Sequence, residues 1–578
     1  MKRFFIFLLA LLTLAGQPRL TAAAENSNPN NKFGIHLALP SEEDLKDAAD
    51  LVNSTGGRWG YVTLVMQEND RDRGKWQNVF DQMRRLHMTP IIRLATFMEG
   101  NSWRRPDPGD AKEWADFLDS LNWVIKNRYI VLFNEPNRAD EWGGTVDPLS
   151  YREVAFEFAQ KLKEKNPDFF VMMAGFDAAA PHKLPAYEDE ELFLRSILIS
   201  PGDKGKEIFN YLDGWASHSY PNHGFVGSPQ ALGRNSVQTY LWELGLLRFL
   251  GVKKDLPVFI TETGWPHAEG KDYQRGLYSQ DEVAANFRLY FNRLLNDPKI
   301  VAITPFVLNY PDEPFDHFSW RKGGGEKDFY PQYQTVRDLA KIKGEPVQDE
   351  KLKVLSVLTS KLITDSTYQI PVAVKNEGQA IWDLKDGYQL NLSSSAGEVF
   401  AHFFSDFSDL SPLGQQTLWL YFKTGDRLGN FVFDLVVTKD GKPVSNDHRW
   451  SLEIVPAVDI EFKVNLYPKK VINESDFKLL IYNQKEEVVF EKTDIEVKNG
   501  VGKIEKVANL VIGEKYRMVA LRPYYLPRQG FLTLGEKENK VAFERMLPFD
   551  FDEDGKFSLG DIWVLITHPK LFSLFWPW

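Results

Sequence analysis

An eightfold alternation of short apolar runs and helix-forming segments most constrains the fold of this 578-residue chain. Strand-like runs lie at Phe33–His36, Trp59–Val65, Thr89–Leu94, Tyr129–Asn134, Phe169–Ala174, Leu212–Ser219, Val258–Glu262 and Ile300–Leu308. Helical segments separate them, among them Trp76–Leu86, Tyr151–Lys165 and Gln280–Leu295, and Ser41 with Glu42, Glu43 and Asp44 marks a helix start. The runs are nearly continuous in apolar residues, as strands covered on both faces must be. Eight such units over roughly 310 residues match the size of an α/β TIM barrel, (β/α)8. A doubly wound open sheet is the competing topology, but no glycine-rich nucleotide loop follows the first strand.

A chain of this length exceeds one core. Helix signals disappear after about Ile342, and short alternating runs take over: Tyr368–Val374, Tyr388–Leu392, Thr417–Phe422 and Phe431–Val437. A second all-β stretch includes Ile460–Asn465, Phe477–Tyr482 and Tyr516–Arg522. The expected organisation is a leader (1–24), a barrel (25–345), an immunoglobulin-like β-sandwich (350–456), a second β-sandwich (457–547) and a C-terminal calcium-loop segment with a tail (548–578). The sandwiches carry no readable site, and fold alone assigns them no function.

The leader reads as a secretory signal peptide: Lys2 and Arg3, an apolar stretch Phe4–Ala15, then Ala22-Ala23-Ala24. This predicts a secreted, extracellular protein of a bacterium, with no membrane span once the leader is removed. The chain has no Cys, which removes disulfides and thiol chemistry. A net charge of −11 argues against nucleic acid as a partner.

Two strand ends carry carboxylates. The fourth run ends in Asn134-Glu135-Pro136-Asn137 and the seventh in Thr261-Glu262-Thr263-Gly264-Trp265-Pro266. Strand ends converge on the C-terminal face of a barrel, where its chemistry sits. One carboxylic acid that protonates a leaving oxygen, facing one carboxylate that attacks or activates water, is the minimal apparatus for cleaving a glycosidic bond. Trp215-Ala216-Ser217-His218-Ser219-Tyr220 ends the sixth run, and its period puts His218 and Tyr220 on one face. Arg93 near the third strand's end and His36 at the first are further candidates, with Arg93 placed to keep Glu262 ionised. Trp103, Trp142, Trp265 and Trp320 all follow strand ends, and Trp320 is the expected platform under the cleaved sugar, since a flat aromatic covers apolar sugar faces.

Asn134-Glu135-Pro136 and Glu262 resemble the clan A retaining (β/α)8 glycoside hydrolases, with families 5 and 39 as typical members, over about Lys32 to Lys343. The resemblance implies Glu135 as acid/base, Glu262 as nucleophile, Asn134 as ligand of the sugar 2-hydroxyl and Tyr220 as donor to the nucleophile. The segment around Glu262 also looks like the nucleophile segment of family 17, the β-1,3-glucanases, although His267 stands where that family has a small polar residue. The expectation is a retaining β-glycosidase acting on a poly- or oligosaccharide, with a β-glucan favoured and no catalytic cofactor. Two other readings stay open: a catalytically silent carbohydrate-binding barrel, and a surface or scaffold protein valued for its modules.

Asp550, Asp552 and Asp554 at positions 1, 3 and 5, Gly555 at 6 and Asp561 at 12 match a twelve-residue calcium loop of EF-hand type, with Lys556 giving its backbone carbonyl. Asp at position 12 resembles dockerin loops, which normally come in pairs; here there is one. A structural Ca2+ is expected, and a protein partner through this segment is possible on that resemblance.

Overall fold

The computed structural model describes residues 29–199, 204–323, 328–394 and 400–574. The leader expected at 1–24 lies outside the described residues. Two compact units meet in sequence between Gln348 and Asp349.

The first unit is a closed parallel barrel. Its strands are β1 (Gly34–Leu37), β2 (Gly60–Gln67), β3 (Met88–Ala95), β4 (Arg128–Leu132), β5 (Phe169–Met173), β6 (Trp215–His218), β7 (Val258–Glu262) and β8 (Ile300–Ile303). β1 to β5 form one parallel sheet and β6 to β8 another. Parallel bridges Met172↔Gly214 and Phe33↔Ile303 join the two at both seams. One principal helix follows each strand: α1 (Glu42–Val52), α2 (Arg73–Arg85), α3 (Ala111–Asp119), α4 (Pro148–Lys165), α5 (Glu190–Ile199), α6 (Thr239–Phe249), α7 (Gln280–Leu294) and α8 (Pro331–Arg337). Local chemistry starts them. Ser41 caps α1 through Asp44 N–H, Asp147 caps α4 ahead of Pro148, and Ser279 with Glu282 forms a capping box on α7.

The barrel interior is packed. Tyr61, Tyr129, Phe170 and Phe259, each the second residue of its strand, meet with ring centroids 5.0–6.4 Å apart. This aromatic layer plugs the N-terminal end, so side chains beyond it are displayed at the C-terminal end. Helix faces bury Trp76, Trp114 and Tyr151 against the strands' outer faces.

In the second unit, residues 352–455 form two sheets with one core cluster. One sheet holds the strands Leu352–Val354, Thr367–Asn376, Gln415–Lys423 and Phe400–Phe403; the other holds Lys361–Ile363, His448–Val455, Gly429–Lys439 and Tyr388–Ser394. Trp382, Phe422, Phe433 and Trp450 fill the space between them.

The next domain departs from expectation. In place of two facing sheets there is one continuous seven-stranded sheet, ordered Tyr525–Thr533, Lys515–Arg522, Asn473–Tyr482, Val488–Lys498, Val501–Val507, Val458–Lys463 and Asn539–Ala542. Register shifts along Asn473–Tyr482 bend it. Its two edges come together: a Cβ on Gly530 of one edge strand would lie 2.7 Å from Val541 of the other. The sheet rolls round a single core of Phe462, Phe477, Met518 and Phe543. Alternation in sequence says that one face is buried; it does not say whether the covering face belongs to a second sheet or to the same one.

The chain then enters the acidic loop and a helix, Leu559–Thr567, followed by a 3-10 turn from Pro569 to Leu574. Among the described residues no helix is long and apolar enough to cross a membrane.

Candidate active site

β4 ends abruptly. Phe133 and Glu135 both have positive φ, 70° and 28°, a conformation that costs a non-glycine residue of order 1 kcal/mol or more. Glu135 N–H donates to Gly175 O at 3.1 Å, and Arg138 N–H to Glu135 O at 2.9 Å, which fixes the turn and aims Glu135 into the barrel mouth. β6 reaches the same point by a register shift against β7: Ser217 pairs with Ile260, but His218 pairs with Glu262. The bulge turns the His218 imidazole inward. Gly175 makes room for that ring, since a Cβ there would sit 2.2 Å from His218 Cδ2.

The carboxylates, predicted from opposite halves of the barrel, come together. One oxygen of Glu135, one of Glu262 and a nitrogen of His218 all lie within 4.8 Å of one another. His218 Nδ1 is 2.8 Å from Glu135 Oε1 and 3.8 Å from Glu262 Oε2. Tyr220 donates its hydroxyl to Glu262 Oε2 at 3.1 Å. Arg93 donates to Glu262 Oε1 and, at 2.6 Å, to Asn134 Oδ1. His36 Nε2 is 3.9 Å from Glu262 Oε1.

Burial opposes ionisation of Glu262, but the charges of His218 and Arg93 and the Tyr220 hydrogen bond win, holding its carboxyl well below the usual range. Tyr220 is pushed far up by burial and by the charges of Glu262 and Glu135, so it remains a donor. His36, wholly buried, is driven down to about 3 by burial and then by Arg93, and is a neutral imidazole. For His218 burial favours the neutral ring, yet the charge of Glu262 and the bond to Glu135 raise its proton affinity overall.

A cavity of about 280 Å3 opens over these groups. Its two walls differ. Phe225, from the loop after β6, and Phe306, Phe315 and Phe318, from the loop after β8, form an apolar wall with ring centroids 5.1–5.9 Å apart. Trp103, Arg104, Asn134, Arg138, Glu141 and Asp177 line the polar side.

The expected platforms are elsewhere. Trp320 is 1% exposed and packs edge-on against Phe287; Trp265 is 2% exposed and packs against Phe287 and Tyr290, its indole N–H held by Gly227 O. Both belong to the packing between barrel and helices. Phe306, half-buried, lines the cavity, and Trp320 does not.

Sequence reasoning also missed Arg138, Glu141 and Asp177. Arg138 Nη1 is 3.6 Å from Glu135 Oε2 and 3.8 Å from Asp177 Oδ2. Burial opposes the Arg138 charge, but Asp140, Glu135 and Asp177 hold it firmly protonated. Arg138 and Glu141 lie within six residues of Glu135, on the same turn, and that proximity was the available signal.

Glu135, His218 and Glu262 are also a set of donors compatible with a metal ion. Arg93 and Tyr220 already occupy both oxygens of Glu262 as donors, which suits a free carboxylate better than a ligand competing with a cation.

No family model matches the sequence, and no curated protein sequence matches it. Solved structures resemble the fold weakly. An FMN-binding β-glucuronidase from Facaelibacterium prausnitzii L2-6 aligns at 12% identity over 74% of this chain and 57% of its own, with a TM-score of 0.36. An endo-β-1,3-glucanase from Pseudomonas viridiflava aligns at 14% over 53% of this chain and 97% of its own, TM-score 0.34. A β-mannanase from Thermomonospora fusca aligns at 11% over 54% and 89%, TM-score 0.35. The chain spans 57% and 63% of the two β-glucuronidase structures it matches. At such values the functional reading rests on the site's own geometry.

The acidic loop is closed by hydrogen bonds from its own backbone to its carboxylates. Asp550 Oδ1 accepts Gly555 N–H at 3.1 Å, and the buried Asp561 accepts Phe551 N–H at 2.7 Å and Ser558 N–H at 2.6 Å. Oxygens of Asp550, Asp552 and Asp561 lie within 4.8 Å of one another. Asp554 is turned to Lys556 N–H at 2.8 Å and is not in that group.

Proposed function

We propose that this protein is a secreted, retaining β-glycosidase that hydrolyses a poly- or oligosaccharide, with a β-glucan as the favoured class. The observation that carries the reading is the approach of Glu135 and Glu262 to within 4.8 Å through their nearest oxygens. A retaining pair stands about 5–5.5 Å apart, whereas an inverting pair needs ~6.5–9.5 Å to admit water between them.

Glu262, ionised and unencumbered by a proton, attacks the anomeric carbon. Glu135 delivers its proton to the departing oxygen as the C–O bond breaks, and a glycosyl ester on Glu262 results. Water then enters, Glu135 takes its proton, and the oxygen attacks the anomeric carbon from the opposite face as the bond from that carbon to Glu262 breaks, which frees the Glu262 carboxylate and restores the original anomeric configuration. Arg93 and Tyr220 keep Glu262 anionic and fixed between turnovers. His218 orients Glu135 through the 2.8 Å contact. Asn134 presents its amide to the sugar 2-hydroxyl. The mixed cavity suits a sugar ring, whose apolar faces meet the phenylalanine wall while its hydroxyls meet the polar one.

The C-terminal loop is proposed to hold a structural Ca2+ through Asp550, Asp552, the Lys556 carbonyl and Asp561, with Asp554, expected as a further ligand, turned instead to Lys556 N–H, and to be the place where a protein partner would dock. The ion takes no part in bond cleavage.

A hydrolysis screen over β-glucans, mannans, xylans and galactans, with proton NMR of the first product anomer, tests the reading. Release of the β-anomer from a β-linked substrate is expected. Release of the α-anomer would make the pair inverting; sugar binding with no hydrolysis across the panel would make the barrel a binding module.

A further inference from the structure

An arginine stands beside the acid/base, and the double-displacement scheme leaves it unused. Arg138 lies three residues after Glu135, lines the cavity, and closes the turn by donating its backbone N–H to Glu135 O at 2.9 Å. Its guanidinium is clamped from one side: Nε and Nη2 donate to the two oxygens of Asp140, at 3.1 and 2.7 Å. Such a fork fixes the plane of the group. Nη1, at the other end, is 3.6 Å from Glu135 Oε2 and 3.8 Å from Asp177 Oδ2. The second oxygen of Glu135, Oε1, faces His218 Nδ1 at 2.8 Å. Glu135 therefore meets a hydrogen-bond partner at one oxygen and a fixed cation at the other.

The charges around Glu135 change during the scheme. In the free enzyme Glu262 is an anion, its nearest oxygen within 4.8 Å of one of Glu135. It opposes a second charge there, which suits an acid that must keep its proton. Once the glycosyl ester forms, Glu262 is neutral and that opposition is gone. Arg138 remains, at the stage where Glu135 has to act as a base.

We propose that Arg138 is a positioning residue for the second displacement, which holds Glu135 as the carboxylate base while water attacks the glycosyl ester. The inference rests on the glycosidase reading and deepens it. In that step the water oxygen bonds to the anomeric carbon, the water proton passes to Glu135, and the electron pair of the breaking C–O bond returns to Glu262. Without Arg138 the base loses this cation, while His218 still holds Oε1 in both halves of the cycle. The first displacement has the opposite need, a protonated Glu135. Loss of Arg138 therefore falls unequally on the two steps, which a merely structural residue would not do.

The test compares the full-length wild type and Arg138→Met on 2,4-dinitrophenyl β-glycosides (glucoside, mannoside, xyloside and galactoside). Dinitrophenolate leaves without a proton, so kcat/KM reports the first displacement and kcat the second. In Arg138→Met kcat should fall about tenfold, the effect of one charge at this distance after screening by solvent. The fall in kcat/KM should be much smaller, so KM drops with kcat as glycosyl-enzyme accumulates. Azide attacks the anomeric carbon without giving up a proton. It should restore kcat in Arg138→Met, with a glycosyl azide as product, and leave the wild-type rate alone. An equal fall in kcat and kcat/KM, or a kcat that azide does not raise, would overturn the role. If Arg138→Met does not fold, Arg138→Gln carries the same comparison. If the wild type cleaves none of the glycosides, the glycosidase reading loses its support, and a double-mutant cycle of Arg138→Met with Glu135→Gln in denaturant unfolding reads the pair by itself. Non-additive losses support the hold of Arg138 on Glu135; additive losses reject it.

Discussion

Replacing Arg93 with methionine probes how the nucleophile is kept ionised. Arg93 and Glu262 are buried together, with side chains 12% and 10% exposed. Methionine preserves bulk and removes both charge and donor. A hydrogen bond to a charged group contributes about 1.5–3 kcal/mol, and one pKa unit corresponds to about 1.36 kcal/mol. The Glu262 carboxyl should therefore rise by about 1–2 units. His218 at 3.8 Å and Tyr220 at 3.1 Å stay in place and limit the shift. The sign is clear: Glu262 attacks as the anion, so activity is lost as pH falls through its pKa. That pKa is depressed in the wild type, which puts the acid limb below the ordinary carboxylate range. In Arg93→Met the limb of kcat/KM for an aryl glycoside should move to higher pH by the same 1–2 units. Leaving a buried carboxylate without its partner should also lower stability at neutral pH by about 3–5 kcal/mol, read by denaturant unfolding. An acid limb that stays in place while kcat/KM falls would refute the argument, for Arg93 would then act on geometry alone.

The acid/base, the fold's buried acids and the loop each give a further test. Glu135→Gln should lower kcat/KM by about 10²–10⁴ for substrates with a sugar leaving group, and much less for dinitrophenyl glycosides, whose leaving group needs no proton in the first step; equal losses of kcat/KM for both would deny Glu135 its role as acid. Glu190 and Glu243, both buried near the barrel wall, have carboxyls raised by burial first and, for Glu190, then by the charge of Glu243. A raised folded pKa gives stability that is complete below the unfolded value of about 4.3 and fades as pH rises. Glu190→Gln should flatten the fall of Tm with pH above that value, and an unchanged slope would contradict the assignment. Ca2+ at about 100 times its Kd should stabilise the C-terminal segment by about 2.7 kcal/mol, an effect Asp552→Asn abolishes, while chelation leaves the hydrolysis rate of the folded enzyme unchanged; a loss of turnover without unfolding would place the ion in the chemistry.

The barrel was legible because its signal is redundant: eight buried strands repeat one pattern, and an error at one boundary leaves the others standing. Glu135 and Glu262 were legible because strand ends converge whatever the loops do. Arg93, His218, Tyr220 and His36 were named on the same argument and Asn134 on the family resemblance, and all five lie around the carboxylates. Loops defeat it. Trp320 and Trp265 follow strand ends, yet both rings turn towards Phe287 behind the barrel, and a phenylalanine, Phe306, faces the cavity. Residue type shows that a ring prefers burial and leaves open which side buries it. Glu141 and Arg138 sit in a polar turn, where charged residues are ordinary, and only the turn's closure over β4 brings them to the cavity.

The covalent intermediate offers the most direct test of the central claim. Incubation with a 2-deoxy-2-fluoro β-glycoside bearing a dinitrophenyl leaving group slows both steps, and should trap the glycosyl ester. Peptide mass spectrometry should then find one fluoroglycosyl increment, on Glu262. A label on another residue, or none from a glycoside whose unfluorinated parent is cleaved, would contradict nucleophilic attack by Glu262.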